Sequence, residues 1–339
     1  MTDSDLCFTP ASMLAPMIRA KRLSPVELMQ AVLDQIERLE PKLNAFATLR
    51  ADAAMAGAKA AEAALMRGEA KGALFGLPVT IKDLAVTAGV PTERGSFIEQ
   101  GRVPDTDAPF VTRLKAAGAI PLGKTTTSEF GWKGVSHSPL TGVTHNPWGH
   151  GLNAGASSAG AGVGAAAGYG PLHQGSDGAG SVRMPAHFSG VYGLKPSFGR
   201  IPNWPVPSND QTSHIGPLTR TVTDAAMMLE TMAGSHPWDH YSLEAAPAAY
   251  ATRLDGASVA GLRVAWSPDL GHARVDADVA ALAKAGADVF AALGAHVEEV
   301  TPAWGPHGPE LIRFFWAAHE LGYRKHLDEW GDKMDPGLV

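Results

Sequence analysis

The pattern of apolar positions changes character near Phe75. Before it, Leu28, Val32, Ile36 and Leu39 recur at the period that lines one face of an α-helix. Ser24, Pro25 and Glu27 stand just ahead of that run as N-cap, first-turn proline and capping-box glutamate, so the start of the helix is specified as well. Residues 50–67 are alanine-rich with polar positions interspersed, and Gly68 follows as a stop signal. Residues 1–70 are therefore expected to form a helical layer. After Phe75, short apolar runs take over: residues 77–81 and 119–122 read as buried strands on either side of a helix over 107–117 that Gly118 ends. Residues 262–266, 277–293 and 296–300 repeat the order strand, helix, strand. Such alternation predicts an α/β fold with a mostly parallel sheet and helices on both faces. The sequence has no internal repeat, and residues 203–209 read as a surface loop rather than a linker. The whole of 1–339 is expected to be a single domain, with 71–339 as its α/β core.

At 339 residues, 45% hydrophobic and 18% charged, the chain is long enough for a well-buried core. Lys and Arg total 28 against 34 acidic residues, and the net charge of −6 gives no footprint for nucleic acid or an anionic membrane. The expected partner is a small molecule; a homodimer stays open. The single cysteine, Cys7, excludes an intrachain disulfide framework and a cysteine metal cage. The acidic N-terminus lacks a secretory pattern, and the longest apolar run, residues 159–169, is too short and glycine-rich to span a bilayer, which points to the cytoplasm.

Several motifs are weaker than they look. Residues 118–125 match the phosphate-loop expression, but a helix precedes Gly118 and the loop interior reads as a strand. Gly162, Gly164 and Ala167 have the spacing of a dinucleotide fingerprint without a strand leading in or an acidic residue after it, so helix packing explains them better. His236 and His240 flank Pro237, and His319-Glu320 is followed by Tyr323 where a second zinc ligand belongs, so no metal site is expected.

What remains is a stretch from 155 to 199, dense in glycine and alanine, that carries Ser157, Ser158 and Ser181, together with Lys82 at the end of an apolar strand. Small residues in that density imply unusual backbone geometry or close approach. If Lys82 is buried it sheds its proton and becomes a usable base; pairing with Asp83 in solvent is the equal alternative. The amides around Gly178, Ala179 and Gly180 can converge on an oxyanion, with a tight glycine turn as the plainer reading.

Taken together, residues 75–83 (FGLPVTIKD), 155–160 (GASSAG), 175–186 (GSDGAGSVRMPA), 193–200 (GLKPSFGR) and 216–226 (GPLTRTVTDAA) resemble the signature blocks of the amidase signature family, over roughly residues 10 to 300. The resemblance implies the amidase signature fold, a central mixed, mostly parallel sheet covered by helices. It implies a catalytic triad of Ser181 as acyl nucleophile, Ser157 as a bridging serine held by a cis peptide, and Lys82 as base. Gly178, Ala179 and Gly180 would form the oxyanion hole through their amides, and Ser158, Asp177 and Arg183 a hydrogen-bonded support. The implied activity is cofactor-free and metal-free hydrolysis of a carboxylic amide, not a peptide bond, with Trp132 near the acyl group. The A-type subunit of a glutamine-dependent aminoacyl-tRNA amidotransferase, which needs partner subunits, is the alternative within the fold, and an inactive binding protein is the alternative outside catalysis. The family has GGSSGG where this chain has GASSAG, and glycine is common at Ala179; each change adds only a methyl. Family members usually continue further, so a C-terminal part is expected to be missing.

Overall fold

The computed structural model describes residues 2–207, 210–244, 249–303 and 307–339. The chain divides into two compact units, Met1–Ala251 with Gly322–Val339, and Thr252–Leu321.

The first unit opens with α1 (Asp3–Phe8), α2 (Ala11–Arg19), α3 (Pro25–Leu43) and α4 (Ala51–Met66). Helix α3 begins as its capping box dictates: Ser24 Oγ accepts from the amides of Val26 and Glu27, while the Glu27 carboxylate accepts from the Ser24 N–H. Leu28, Val32 and Ile36 are buried in the main core, and Leu39 packs against it. The layer is not purely helical, since β1 (Phe46–Leu49) lies between α3 and α4 and pairs with the sheet. Four residues without apolar alternation carry too little pattern to announce a strand.

The sheet is built from β1, β2 (Pro78–Lys82), β3 (Ile120–Thr125), β8 (Leu172–Asp177), β9 (Tyr192–Gly193) and β10 (His214–Thr219), in the order β1-β3-β2-β8-β10-β9. Strand β2 runs parallel to β3 and to β8, whereas β1, β9 and β10 pair antiparallel, so the sheet is mixed with a parallel centre. Every residue of β2 is buried, as a central strand covered on both faces requires. Between β3 and β8 lie two small hairpins, β4 (His137–Ser138) with β5 (Gly142–Val143) and β6 (His145–Asn146) with β7 (Gly149–Asn153). Helices α5 (Pro109–Ala116), α6 (Ala159–Ala167), α7 (Arg183–Ser189) and α8 (Val222–Met232) complete the cover, and α11 (Leu327–Trp330) belongs to the returning C-terminal segment.

The phosphate-loop match resolves as the helix stop and strand expected of it. Gly118 has φ +84° after α5, and Lys124 lies inside β3, fully buried. The dinucleotide match resolves as helix packing: a Cβ on Gly162 of α6 would stand 2.9 Å from Pro185, and one on Gly164 2.9 Å from the His173 ring. Residues 203–207 form no helix or strand; 208–209 of that expected loop lie outside the described residues.

In the second unit β11 (Arg263–Trp266) and β12 (His296–Glu299) run parallel, joined through α9 (Ala277–Ala292), and α10 (Gly308–Glu320) follows. The expected strand, helix and strand are all present, but the two strands pair with each other as a sheet of their own rather than lengthening the six-stranded one. Among the described residues, no helix is long and apolar enough to cross a membrane.

Candidate active site

Parallel pairing of β2 with β8 brings the carboxyl ends of both strands to one edge, and the chemistry gathers there. Lys82, the last residue of β2, is fully buried. Its Nζ lies 2.7 Å from Ser157 Oγ and 3.0 Å from Ser176 Oγ, and its backbone N–H donates to Gln174 Oε1 at 3.0 Å. Burial drives the Lys82 amine down to about 7, against the opposing pull of the Asp177 charge. The solvent-exposed pair with Asp83 does not form. Asp83 instead receives the Glu93 amide, while Lys124 on the neighbouring strand donates to Ala85 O and to the Thr87 and Thr92 hydroxyls.

Ser157 reaches Lys82 from the turn before α6. At Gly155, φ is +107° and a Cβ would stand 2.5 Å from Pro185 Cα, so only glycine lets the turn pass so close to α7. The peptide bonds on either side of Ser157 are trans: among the described residues the one cis bond is Trp204–Pro205. The cis geometry expected at Ser157 is therefore not met, and the 2.7 Å contact with Lys82 forms without it. Ser158 donates from Oγ to Ser176 O at 3.1 Å and accepts from Ser176 N–H at 3.2 Å, clasping the start of α6 to β8.

Ser181 lies in the turn from β8 into α7, buried but not sealed, at 9% exposure. Among the described residues its hydroxyl makes no hydrogen bond to Ser157 or Lys82. The turn is organised by Asp177. Its carboxylate accepts from the amides of Gly180 at 2.7 Å and Val182 at 3.1 Å, and takes a two-pronged contact from Arg183 at 3.0 and 2.8 Å. Burial pushes this carboxyl up, but Arg183 and the amides more than offset it and hold Asp177 at about 2. The Gly180 N–H, expected at an oxyanion, is thus engaged by Asp177; the amides of Gly178 and Ala179 make no hydrogen bond among the described residues. Gly180 supplies the turn's left-handed residue, φ +116°, while Ala179 keeps a negative φ that its methyl tolerates.

The loop that carries Trp132 closes the Ser157 side. Gly131, φ +83°, comes so near that a Cβ there would stand 3.4 Å from Ser157 Oγ, and Trp132 beside it is half-buried. Phe130 and Arg94 both hold left-handed backbone, φ 49° and 54°, and the Phe130 N–H donates to Arg94 O at 2.8 Å. Phe130 directly precedes Gly131, and two strained non-glycine residues joined at that point fit a functional site. Motif reasoning does not single out Ser176 and Gln174, although their spacing puts both on one face of β8, where each meets Lys82.

A sequence model of the amidase family, described as Amidase, matches residues 27–333. The chain belongs to the amidase family. Among its relatives, an acylamidase of Rhodococcus erythropolis is 40% identical over 325 residues, covering 93% of this chain and 66% of that one. The A-type subunit of the glutamyl-tRNA(Gln) amidotransferase of Anaeromyxobacter sp. (strain K) is 39% identical over 293 residues, 86% of this chain and 59% of its own. Among solved structures, a bacterial aryl acylamidase of the amidase signature enzymes superposes with a TM-score of 0.89 at 29% identity, covering 98% of this chain and 71% of that one. A 6-aminohexanoate cyclic dimer hydrolase complexed with substrate gives 0.85 at 30% identity, over 96% and 67%. The chain thus spans about two thirds or less of the length of these two sequence relatives.

Proposed function

We propose that this amidase-family chain hydrolyses a carboxylic amide to a carboxylate and ammonia or an amine, with Ser181 as nucleophile, Ser157 as proton relay and Lys82 as terminal base. The observation that carries this reading is the fully buried Lys82, brought to about 7 by burial, with Nζ 2.7 Å from Ser157 Oγ. A neutral amine takes the Ser157 proton as Ser157 takes that of Ser181, and the Ser181 oxygen adds to the amide carbon. The resulting oxyanion is received by the amides of Gly178 and Ala179, which Asp177 and Arg183 keep in place. Collapse breaks the C–N bond as the proton returns from Lys82 through Ser157 to the leaving nitrogen. Water, deprotonated along the same path, then cleaves the Ser181 ester. Identity of 40% to an acylamidase supports a small amide as substrate, and the approach of Gly131 to the Ser157 hydroxyl supports Trp132, the next residue, as the wall beside the acyl group.

The 39% identity to an amidotransferase component supports a second reading, in which the amide is that of glutamine and ammonia passes to a partner. Initial rates on acetanilide, phenylacetamide and glutamine, with the chain alone and with Ser181→Ala, separate the two. Turnover of the simple amides, lost in Ser181→Ala by about 10²-fold or more, supports the amidase; glutamine alone as substrate supports the amidotransferase component; no turnover of any of the three by folded protein overturns the amidase.

A further inference from the structure

The loop that backs Ser157 is held from far along the chain. Glu129 is fully buried, and its carboxylate accepts from Ser96 Oγ at 2.7 Å and from the backbone N–H of Asp335 at 2.6 Å. The Asp335 carboxylate pairs with Lys133, stands 3.6 Å from His137 Nδ1, and accepts the Gly337 N–H at 3.1 Å. The side chains of Lys133 and Asp335 are only 15% and 6% exposed, so this ion pair is sheltered from solvent screening. Two residues further on, a Cβ built on Gly337 would meet the Trp132 ring at 2.4 and 2.7 Å. Phe130 stacks on Tyr323 with ring centroids 4.0 Å apart. Phe130, Trp132 and Lys133 are thus each gripped by residues 323–337, and the residue among them, Gly131, is the one that abuts the Ser157 hydroxyl.

We propose that Asp335 is a positioning residue for the candidate site: it locks Glu129 and Lys133 so that Gly131 backs the Ser157 hydroxyl, while Gly337 seats the Trp132 ring as the wall that selects the acyl group. The site's acyl preference is then set in part from Asp335 and Gly337, which touch neither nucleophile nor base. The proposal rests on the amide-hydrolysis reading for its effect on rate, and stands apart from it for its effect on the loop. Misplacing a group beside reacting atoms by about 1 Å lowers rates by up to ~10²-fold.

The test uses the full chain with Asp335→Asn, Asp335→Glu and Gly337→Ala. Backbone hydrogen exchange at residues 129–133 should quicken by about tenfold or more in Asp335→Asn, and less in Asp335→Glu, which keeps the charge on Lys133. Gly337→Ala leaves the ion pair in place and pushes on Trp132, so it should change the ratio of kcat/KM for phenylacetanilide over acetanilide by about tenfold, with global melting little altered. Unchanged exchange at 129–133 in Asp335→Asn overturns the proposal, as does an acyl ratio in Gly337→Ala equal to that of the unaltered protein. If the unaltered protein turns over no amide, the proposed function fails, and hydrogen exchange still decides whether Asp335 holds the loop. Should Asp335→Asn fail to fold, Lys133→Met removes the other half of the pair and is read in the same way.

Discussion

Lys82 is the residue on which the proposed chemistry turns, because its protonation state follows from where folding puts it. With half-protonation at about 7, hydrolysis should rise with pH through that value and then level off. Lys82→Met should abolish this limb and lower turnover by about 10²- to 10⁴-fold. The same shift has a sign for stability. The folded value lies below the ordinary 10.5, so between about 7 and 10.5 the unfolded chain binds the extra proton and the native protein gains stability as pH rises. Lys82→Met lacks that gain. Its melting temperature relative to the unaltered protein should therefore be higher at pH 7 than at pH 10, and a difference independent of pH would contradict a neutral, buried amine. Asp177 carries the same sign in a different window: held at about 2, below the ordinary 3.8, it contributes stability that is complete above 3.8 and is lost as pH falls towards 2.

The glycines of the helices separate into those that packing demands and those it does not. Alanine at Gly160 gains about 1 kcal/mol of helix propensity, but its Cβ would lie 2.2 Å from Ala45 O and 2.6 Å from Thr126 N, backbone atoms that cannot swing aside. Gly160→Ala should destabilise by a net ~1–3 kcal/mol. Gly286 in α9 has nothing within 4 Å of a new Cβ, so Gly286→Ala should stabilise by about 0.5–1 kcal/mol. Denaturant melts of both variants check the contrast. Elements with local signals were legible: the cap and stripe of α3, the apolar runs of β2 and β3, the glycine stops. The antiparallel edge strands β1 and β9 and the separate pairing of β11 with β12 were not, because short strands take their partners from tertiary context. Within the site, the strand left the burial of Lys82 and a solvent pair with Asp83 equally open, its contact with Ser157 and Ser176 depends on β2 lying beside β8, and only a resemblance to known blocks joined Lys82 to the serines beforehand. The grip of Asp335 on Glu129, 206 residues away, leaves no periodicity to read.

The two units differ in how much apolar surface they bury. Met1–Ala251 with Gly322–Val339 holds an extensive core, whereas among the described apolar residues of 252–321 only Ala287 and Ala295 are buried. Leu282, Val289 and Phe290 of α9, Leu293 at its C-cap and Phe314 of α10 are exposed. The native protein should accordingly bind a hydrophobic dye such as anilinonaphthalene sulfonate, and Leu282→Ser with Phe314→Ser should weaken that signal without changing the chemistry of Ser181. Equal dye binding in the double variant would contradict this distribution. At the scale of the whole molecule, the proposed function requires that folding make Ser181 a nucleophile served by a neutral lysine. The most direct measurement is the rate at which a fluorophosphonate modifies Ser181, located by peptide mass spectrometry, from about pH 6 to about pH 9. A neutral Lys82 should give a single adduct on Ser181, a rate that rises through about 7, and no such rise in Lys82→Met. Folded protein that carries no adduct on Ser181, or modification indifferent to both pH and Lys82, would contradict it.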